Sequence, residues 1–198
     1  MEKRPIDYLI LVNPFHKIPE AYFDNLELVE MRGYDNEVFR VEKAAAQQFR
    51  ELEKASSAMG IPILLSSAYR SIEKQRQIKE EFTTEYGADY AKRYVAEPGC
   101  SEHHTGLAFD ITDEQIYAAD YNNRHDETVA DTEVYKWMAE HCTDYGFIVR
   151  YPEGKEEFYH MACYPGHFRY VGVEAAKYIT ENDLCFEEFL ALYGVNIK

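Results

Sequence analysis

The segment EPGCSEHHTGLAFDIT, residues 97–112, constrains the fold most, because within a few positions it changes from a turn to a strict alternation. Pro98 and Gly99 are a turn signal and lead into a polar loop with Ser101, His103 and His104. From Gly106 the residues alternate, so Leu107, Phe109 and Ile111 share one face of a strand while Ala108, Asp110 and Thr112 share the other. The segment therefore reads as a loop entering a half-buried strand. The Asp110 carboxylate stands on the non-core face beside small Ala108, which leaves space in front of it. A positive φ at Gly106 bends the loop back, so that a loop imidazole can meet the strand carboxylate. One His nitrogen and one Asp oxygen make half of a nitrogen-oxygen metal site of the kind that suits zinc. A histidine-bearing loop before a strand is also commonly a turn with solvated imidazoles, and this stretch alone leaves both readings open.

The surrounding chain has 198 residues, 46% hydrophobic and 15% aromatic, enough for one sizeable core, and residues 1–198 read as a single domain. A formal charge of -15 and a pI near 4.9 argue against a general nucleic-acid or anionic-membrane surface, which needs a basic footprint. An anionic substrate would then need local arginines. No apolar run reaches the length of a membrane span, and the start, MEKRPIDYLILVNPFHKIPE, has a short apolar core broken by Pro14. A cytoplasmic chain without a signal peptide is the expectation. Cys100, Cys142, Cys163 and Cys185 are far apart and form no Cys-x-x-Cys pair, so they read as small buried residues rather than a disulfide framework or zinc knuckle.

The pattern predicts a short strand at 8–12, an amphipathic helix at 41–59 stopped by Gly60, and a buried strand at 62–67. A helix at 72–86 follows, with Ser71 as N-cap, which puts Arg70 at a strand-to-helix junction. There it is placed to fork onto a carboxylate, or else to pack its stem on Tyr69 at the surface. Residues 113–131 read as a polar surface excursion. A helix at 132–145 is capped by Thr132 and stopped by Gly146. Strands at 147–151 and 167–171 are joined by the 15-residue connection PEGKEEFYHMACYPG, partly ordered over the site, and helices at 173–181 and 186–193 close the chain. In the second of these strands His167, Arg169 and Val171 share a face. The fold class is α+β: a small, mainly antiparallel sheet with the site on one face and helices packed around it.

Ser101-x-His103-x-x-Gly106-x-Ala108-x-Asp110 is preceded by Ser67, Ala68, Tyr69, Arg70, Ser71 and Gln75, and followed by YGFIVRYP at 145–152 and HFRYVG at 167–172. In this order, over roughly residues 10–172, the motifs resemble the zinc D-alanyl-D-alanine peptidases of the VanY, VanX and VanXY type. The resemblance implies a Zn2+ ion held by His103, Asp110 and His167, with a fourth position open, as catalytic zinc requires. It implies that Arg70 contacts the substrate and stabilises the transition state, and that Ser71, Gln75 and Ser101 line the pocket for the terminal D-alanine. The partner it implies is a D-Ala-terminated dipeptide or muropeptide precursor, and the activity a D,D-carboxypeptidase or D,D-dipeptidase.

One departure bears on that activity. The family generally reads Glu-x-x-His at the last ligand, with Glu as general base, whereas this chain has Tyr164, Pro165, Gly166 and His167, with Gly166 in place of an expected Trp. Tyr164 thus occupies the general-base position, and a phenol with a reference pKa of about 10 is a poor proton acceptor near neutrality. Glu153, Glu156, Glu157 and His160 are alternative bases in the same connection. The rival reading is a catalytically impaired homologue that binds zinc and peptide; altered chemistry, such as an L,D-peptidase, is a third.

Overall fold

The computed structural model describes residues 6–112, 130–161 and 164–198. Two segments with alternating polarity pair first: β1 (Leu28–Arg32) and β2 (Val38–Glu42) form an antiparallel hairpin with Glu30 opposite Arg40. The strand ends in a helix cap, because the Glu42 carboxylate accepts the Ala45 N–H at 2.9 Å and opens α1 (Lys43–Ala58). Ala45, Ala46, Phe49 and Leu52 of α1, at helical spacing, are fully buried. Next come β3 (Leu64–Ser67), α2 (Ile72–Tyr86) with Ser71 accepting the Lys74 N–H, and α3 (Ala88–Tyr94). The alternating segment is β4 (Ala108–Thr112). Thr132 caps α4 (Glu133–His141), a 3-10 turn prolongs it to Tyr145, and β5 (Phe147–Val149) follows. The chain ends with α5 (Glu156–Tyr159), β6 (His167–Tyr170), α6 (Val173–Glu181) and α7 (Phe186–Leu192).

Among the described residues the main sheet has the order β3-β4-β6-β5, each neighbour antiparallel. One face is the core. Phe109 stacks on Phe49 of α1 with ring centroids 4.8 Å apart and meets Phe147 of β5 at 5.1 Å, while Leu65, Phe168 and Met138 fill the space around them. The period of two then sends Asp110, His167 and Arg169 to the opposite face, where Ile148 packs with Ala176, Ile179, Phe186 and Leu190 of the C-terminal helices. The expected half-buried β4 is in fact buried at all five positions, because it lies between β3 and β6 and its second face is covered by the loop that carries His103.

Residues 8–12 form no strand. Their backbone is satisfied by a side chain instead of a ladder: Arg169 Nη2 donates to the carbonyls of Tyr8 and Ile10, both at 3.1 Å, and Leu11 and Val12 are buried. Of the expected surface excursion, residues 113–129 lie outside the described residues, as does Cys163; Cys100, Cys142 and Cys185 are buried free thiols. Among the described residues no helix is long and apolar enough to cross a membrane.

Gly106 joins the hairpin to the loop that carries His103. Its carbonyl accepts the Glu42 N–H at 2.9 Å, its φ is 72°, and a Cβ there would lie 3.0 Å from Leu28 Cδ2 and 3.1 Å from Glu42 N. Left-handed backbone costs a non-glycine residue about 1–2 kcal/mol before any clash is counted. Gly106→Ala is therefore expected to destabilise the fold by roughly 2 kcal/mol or more, measured by urea denaturation. An unchanged midpoint would show that this junction tolerates a side chain.

Candidate metal centre

Strand register makes the first half of the site. Asp110 on β4 stands directly opposite His167 on β6, and its Oδ1 lies 2.8 Å from His167 Nδ1. His103, on the 3-10 turn Glu102–Thr105 that Gly106 terminates, brings Nε2 to 3.2 Å from Asp110 Oδ2. Ligand atoms of His103, Asp110 and His167 all fall within 4.8 Å of one another, and all three residues are buried. Two imidazole nitrogens and a carboxylate oxygen are the donor set of a catalytic zinc-type site.

The remote ring nitrogens fix the tautomers. His103 Nδ1 is 2.7 Å from the Ala68 carbonyl, which can only accept, so that nitrogen carries the proton and Nε2 keeps its lone pair. His167 Nε2 lies 3.3 Å from Glu102 Oε2, which leaves Nδ1 toward Asp110. Burial, then the Arg70 guanidinium, holds the His103 pKa down to about 4 against the pull of Asp110, so this imidazole is neutral. Burial also disfavours charge on His167, but hydrogen bonds to Asp110 and Glu102 outweigh it and raise its pKa. Burial alone would raise the Asp110 carboxyl; the two histidines hold it well below the usual carboxylate range. Carboxylates on both sides of His167 thus call for a positive partner, either a proton or a cation that displaces it.

Arg70 is placed by an irregularity in β3. The register shifts between Leu65 and Ser67, which sets Ser67 opposite Asp110. Arg70 Nε and Nη2 donate to Ser67 Oγ at 3.0 and 2.8 Å, and Nη2 also reaches Asp110 Oδ2 at 2.8 Å. Arg70 forks onto a carboxylate and a hydroxyl; the Tyr69 ring is instead covered by Arg40, 5.1 Å from its centroid. The backbone around Arg70 is held from the ligand loop: its N–H donates to the His103 carbonyl, and its carbonyl accepts His104 Nδ1–H at 2.7 Å. His104 Nε2 accepts the Gly99 N–H at 3.0 Å, so His104 is a bracket between the Pro98-Gly99 turn and Arg70.

A cleft of about 180 Å³ opens in front of these groups. Arg70, Gln75, Ser101 and Tyr164 line it, with Phe82 and Tyr94 of the α2–α3 wall. Gln75 is buried, donates to the Ala96 carbonyl at 3.0 Å and lies 3.5 Å from Arg70 Nη1. Ser71 is spent as the cap of α2 and is not part of the cleft wall. Tyr164 sets its ring 6.3 Å from that of His167. A Cβ at Gly166 would lie 3.4 Å from atoms of that phenol ring and 3.3 Å from the Ile111 carbonyl, so the ring rests directly against position 166. Glu153, Glu156, Glu157 and His160 are exposed and none lines the cleft: Glu156 accepts the Gly154 N–H, and the His160 ring packs edge-on against Phe15.

Four charged residues around the site, two of them inside the quoted motifs, have no role that the sequence assigns. Glu102 receives Arg150 Nε at 2.7 Å and lies 3.1 Å from Arg169 Nη1, and Arg150 forks onto Glu187 of α7 at 2.8 and 2.7 Å. Burial alone would raise the Glu102 carboxyl, but Arg150 and Arg169 outweigh it and hold the group ionised. The sequence signal was an arginine inside each of two apolar strands, FIVRY and HFRYV.

A family model described as VanY, D-alanyl-D-alanine carboxypeptidase, matches residues 38–173. A D-alanyl-D-alanine carboxypeptidase of Enterococcus faecalis (strain ATCC 700802 / V583) is 36% identical over 191 residues; the match covers 92% of this chain and 65% of that protein, so the chain spans just under two thirds of its relative. Among solved structures, a mutant of the D,D-pentapeptidase VanY from a VanB-type resistance cassette, in complex with Zn(II), superposes with a TM-score of 0.76 at 35% identity, covering 92% of this chain and 98% of that one. VanYB in complex with D-alanine-D-alanine gives 0.77 at 36% identity, covering 93% and 97%.

Changing His103, Asp110 or His167 singly to Ala is expected to abolish stoichiometric binding of a divalent metal, measured by elemental analysis of protein purified without added metal. If all three variants keep the metal content of the parent, the ion sits elsewhere.

Proposed function

This chain belongs to the VanY family of D-alanyl-D-alanine carboxypeptidases, and we propose that it is a zinc-dependent D,D-carboxypeptidase or D,D-dipeptidase that cleaves the terminal D-alanine from D-Ala-D-Ala-ended dipeptides or peptidoglycan precursors. The observation that carries the reading is the convergence of His103, Asp110 and His167 on one point at the floor of a cleft that Arg70 also lines. The two-nitrogen, one-oxygen donor set and the Zn(II) complex of a relative support zinc as the ion. When bound, zinc supplies Lewis acidity toward the scissile carbonyl and makes water acidic enough to attack near neutral pH.

The protein's own groups do the rest. Arg70, with its guanidinium pinned by Ser67 and Asp110, is a fixed positive charge at the cleft in an otherwise strongly acidic chain. Its Nη1, 3.5 Å from Gln75, is the more weakly engaged end and is available to a substrate oxygen that gains charge during attack. Gln75 and Ser101 add polar groups to the same wall for the terminal carboxylate. Tyr164 takes the place of the family's general-base Glu beside His167. Since the four alternative bases lie outside the cleft, Tyr164 is the residue of the connection whose removal tests how the proton is taken.

Release of D-alanine from D-Ala-D-Ala by the purified protein, with and without a chelator, tests the activity; no chelator-sensitive release would overturn it. Arg70→Ala is expected to keep zinc but lower turnover by roughly thirtyfold, the loss of a charged hydrogen bond of about 2 kcal/mol. Unchanged affinity and turnover would remove Arg70 from the mechanism.

Tyr164→Glu is expected to raise the rate without changing zinc content, by up to the roughly 100- to 10,000-fold that base catalysis contributes. The gain is largest if the new carboxylate stays over Gly166, where the phenol now rests. Robust parental activity that survives Tyr164→Phe would show that another group accepts the proton.

A further inference from the structure

Glu102, Arg150, Arg169 and Glu187 are at most 2% exposed, and together they form a continuous path from a metal ligand to the C-terminal helix. His167 Nε2 faces Glu102 Oε2 at 3.3 Å; Glu102 Oε1 takes Arg150 Nε at 2.7 Å; Arg150 Nη1 and Nη2 take the two oxygens of Glu187 at 2.8 and 2.7 Å. We infer that Glu187 is a positioning residue for His167, acting through Arg150 and Glu102, so that α7 belongs to the support of the metal centre although Glu187 does not line the cleft. The inference rests on the zinc site proposed above. It concerns a residue beyond the segment 38–173 that the family model matches.

The link between the two glutamates is the allocation of their oxygens. The Arg150 guanidinium is fully buried at the edge of the cleft, so its charge and its N–H groups are met by protein carboxylates. Glu187 satisfies both terminal nitrogens in a two-pronged fork, which aims Nε at a single oxygen of Glu102. The second Glu102 oxygen is thereby left for His167. Without the charge of Glu187, Arg150 turns toward the nearest remaining carboxylate, which is Glu102, and competes for the oxygen that holds the imidazole. The same strand end backs the ligand in a second way: Tyr151 stacks on the His167 ring at 5.1 Å and 29°, with the Arg150 guanidinium 4.9 Å from the Tyr151 centroid. Outer partners of a metal-bound histidine fix its tautomer and orientation, and their loss typically weakens metal binding about 10- to 100-fold.

The test is a double-mutant cycle on zinc affinity, read by competition with a fluorescent chelator on the full chain, with thermal unfolding of metal-free protein as a separate readout. Glu102→Gln is expected to weaken zinc about 10- to 100-fold, and Glu187→Gln about tenfold or more. The double variant should be no weaker than Glu102→Gln alone, because both changes act through one contact. The cobalt-substituted protein should show a shifted visible spectrum in each variant, a change that a loss of packing far from the metal does not produce. If Glu187→Gln does not fold, Glu187→Asp keeps the charge but draws the fork back by one methylene, is expected to fold, and should still bind zinc more weakly than the parent. The inference is overturned if Glu187→Gln, or Glu187→Asp in its place, keeps the parental zinc affinity and cobalt spectrum, or if the two penalties of the cycle multiply. Failure of the parent itself to bind zinc would instead overturn the metal reading.

Discussion

The pairing of Asp110 with His167 across β4 and β6 is the constraint on which the rest of the site depends. In an antiparallel ladder the side-chain period is two, so a slip of β4 by one residue would turn Asp110 into the core and bring Phe109 to the cleft face, leaving His167 without its partner. The aromatic packing of Phe109 on Phe49 and Phe147 therefore does more than stabilise the sheet. It fixes the register that holds a carboxylate oxygen 2.8 Å from an imidazole nitrogen. His103 then needs only the left-handed turn at Gly106 to arrive from the loop, and Arg70 only the irregularity in β3. Each element delivers one side chain, and the core sets the relative placement of all of them.

Burying so much charge has to be balanced locally. Asp110 sits between two histidines and Arg70, and Glu102 between His167 and two arginines. A buried ion pair is often no more stabilising than apolar residues of equal volume, whereas removing one partner costs about 3–5 kcal/mol. The Arg150–Glu187 fork is thus poor material for raising stability and good material for holding a geometry. The acidic surface of the chain contributes nothing comparable, since exposed pairs such as Lys43–Glu27 are screened by solvent and worth at most about 1 kcal/mol.

What could be read in the sequence was what is local. Helix caps at Ser71 and Thr132, the stop at Gly146 and the alternation of 107–112 each depend on neighbouring residues, and the fold contains all of them. The ligand set was legible by resemblance rather than by spacing, because His167 lies 57 positions from Asp110 and nothing in the intervening chain announces their pairing. The apolar run at 8–12 misled for a physical reason: a strand and a coil satisfied by a distant guanidinium have the same composition, and Arg169 is more than 150 residues away. Glu102 escaped notice for the same reason. Beside Ser101 and His103 it reads as a solvated loop acid until the fold brings two buried arginines to it.

Tyr164 and Gly166 are better understood as one departure than as two. By resemblance, a Glu is expected at the first position and a Trp at the second. In the fold, the space that a side chain at 166 would fill is bordered by the Tyr164 ring on one side and the Ile111 carbonyl on the other. Ile111 adjoins the ligand Asp110, and its N–H is bonded to the Gly166 carbonyl at 2.9 Å, so a side chain at 166 would press on the backbone of β4 as well as on the phenol. A Cβ at 166 would touch the phenol at 3.4 Å, so the two positions border one space at the cleft wall. Changes at these positions are therefore not additive, since contacting side chains that share one space couple energetically. What position 164 does to turnover is therefore expected to depend on what stands at 166.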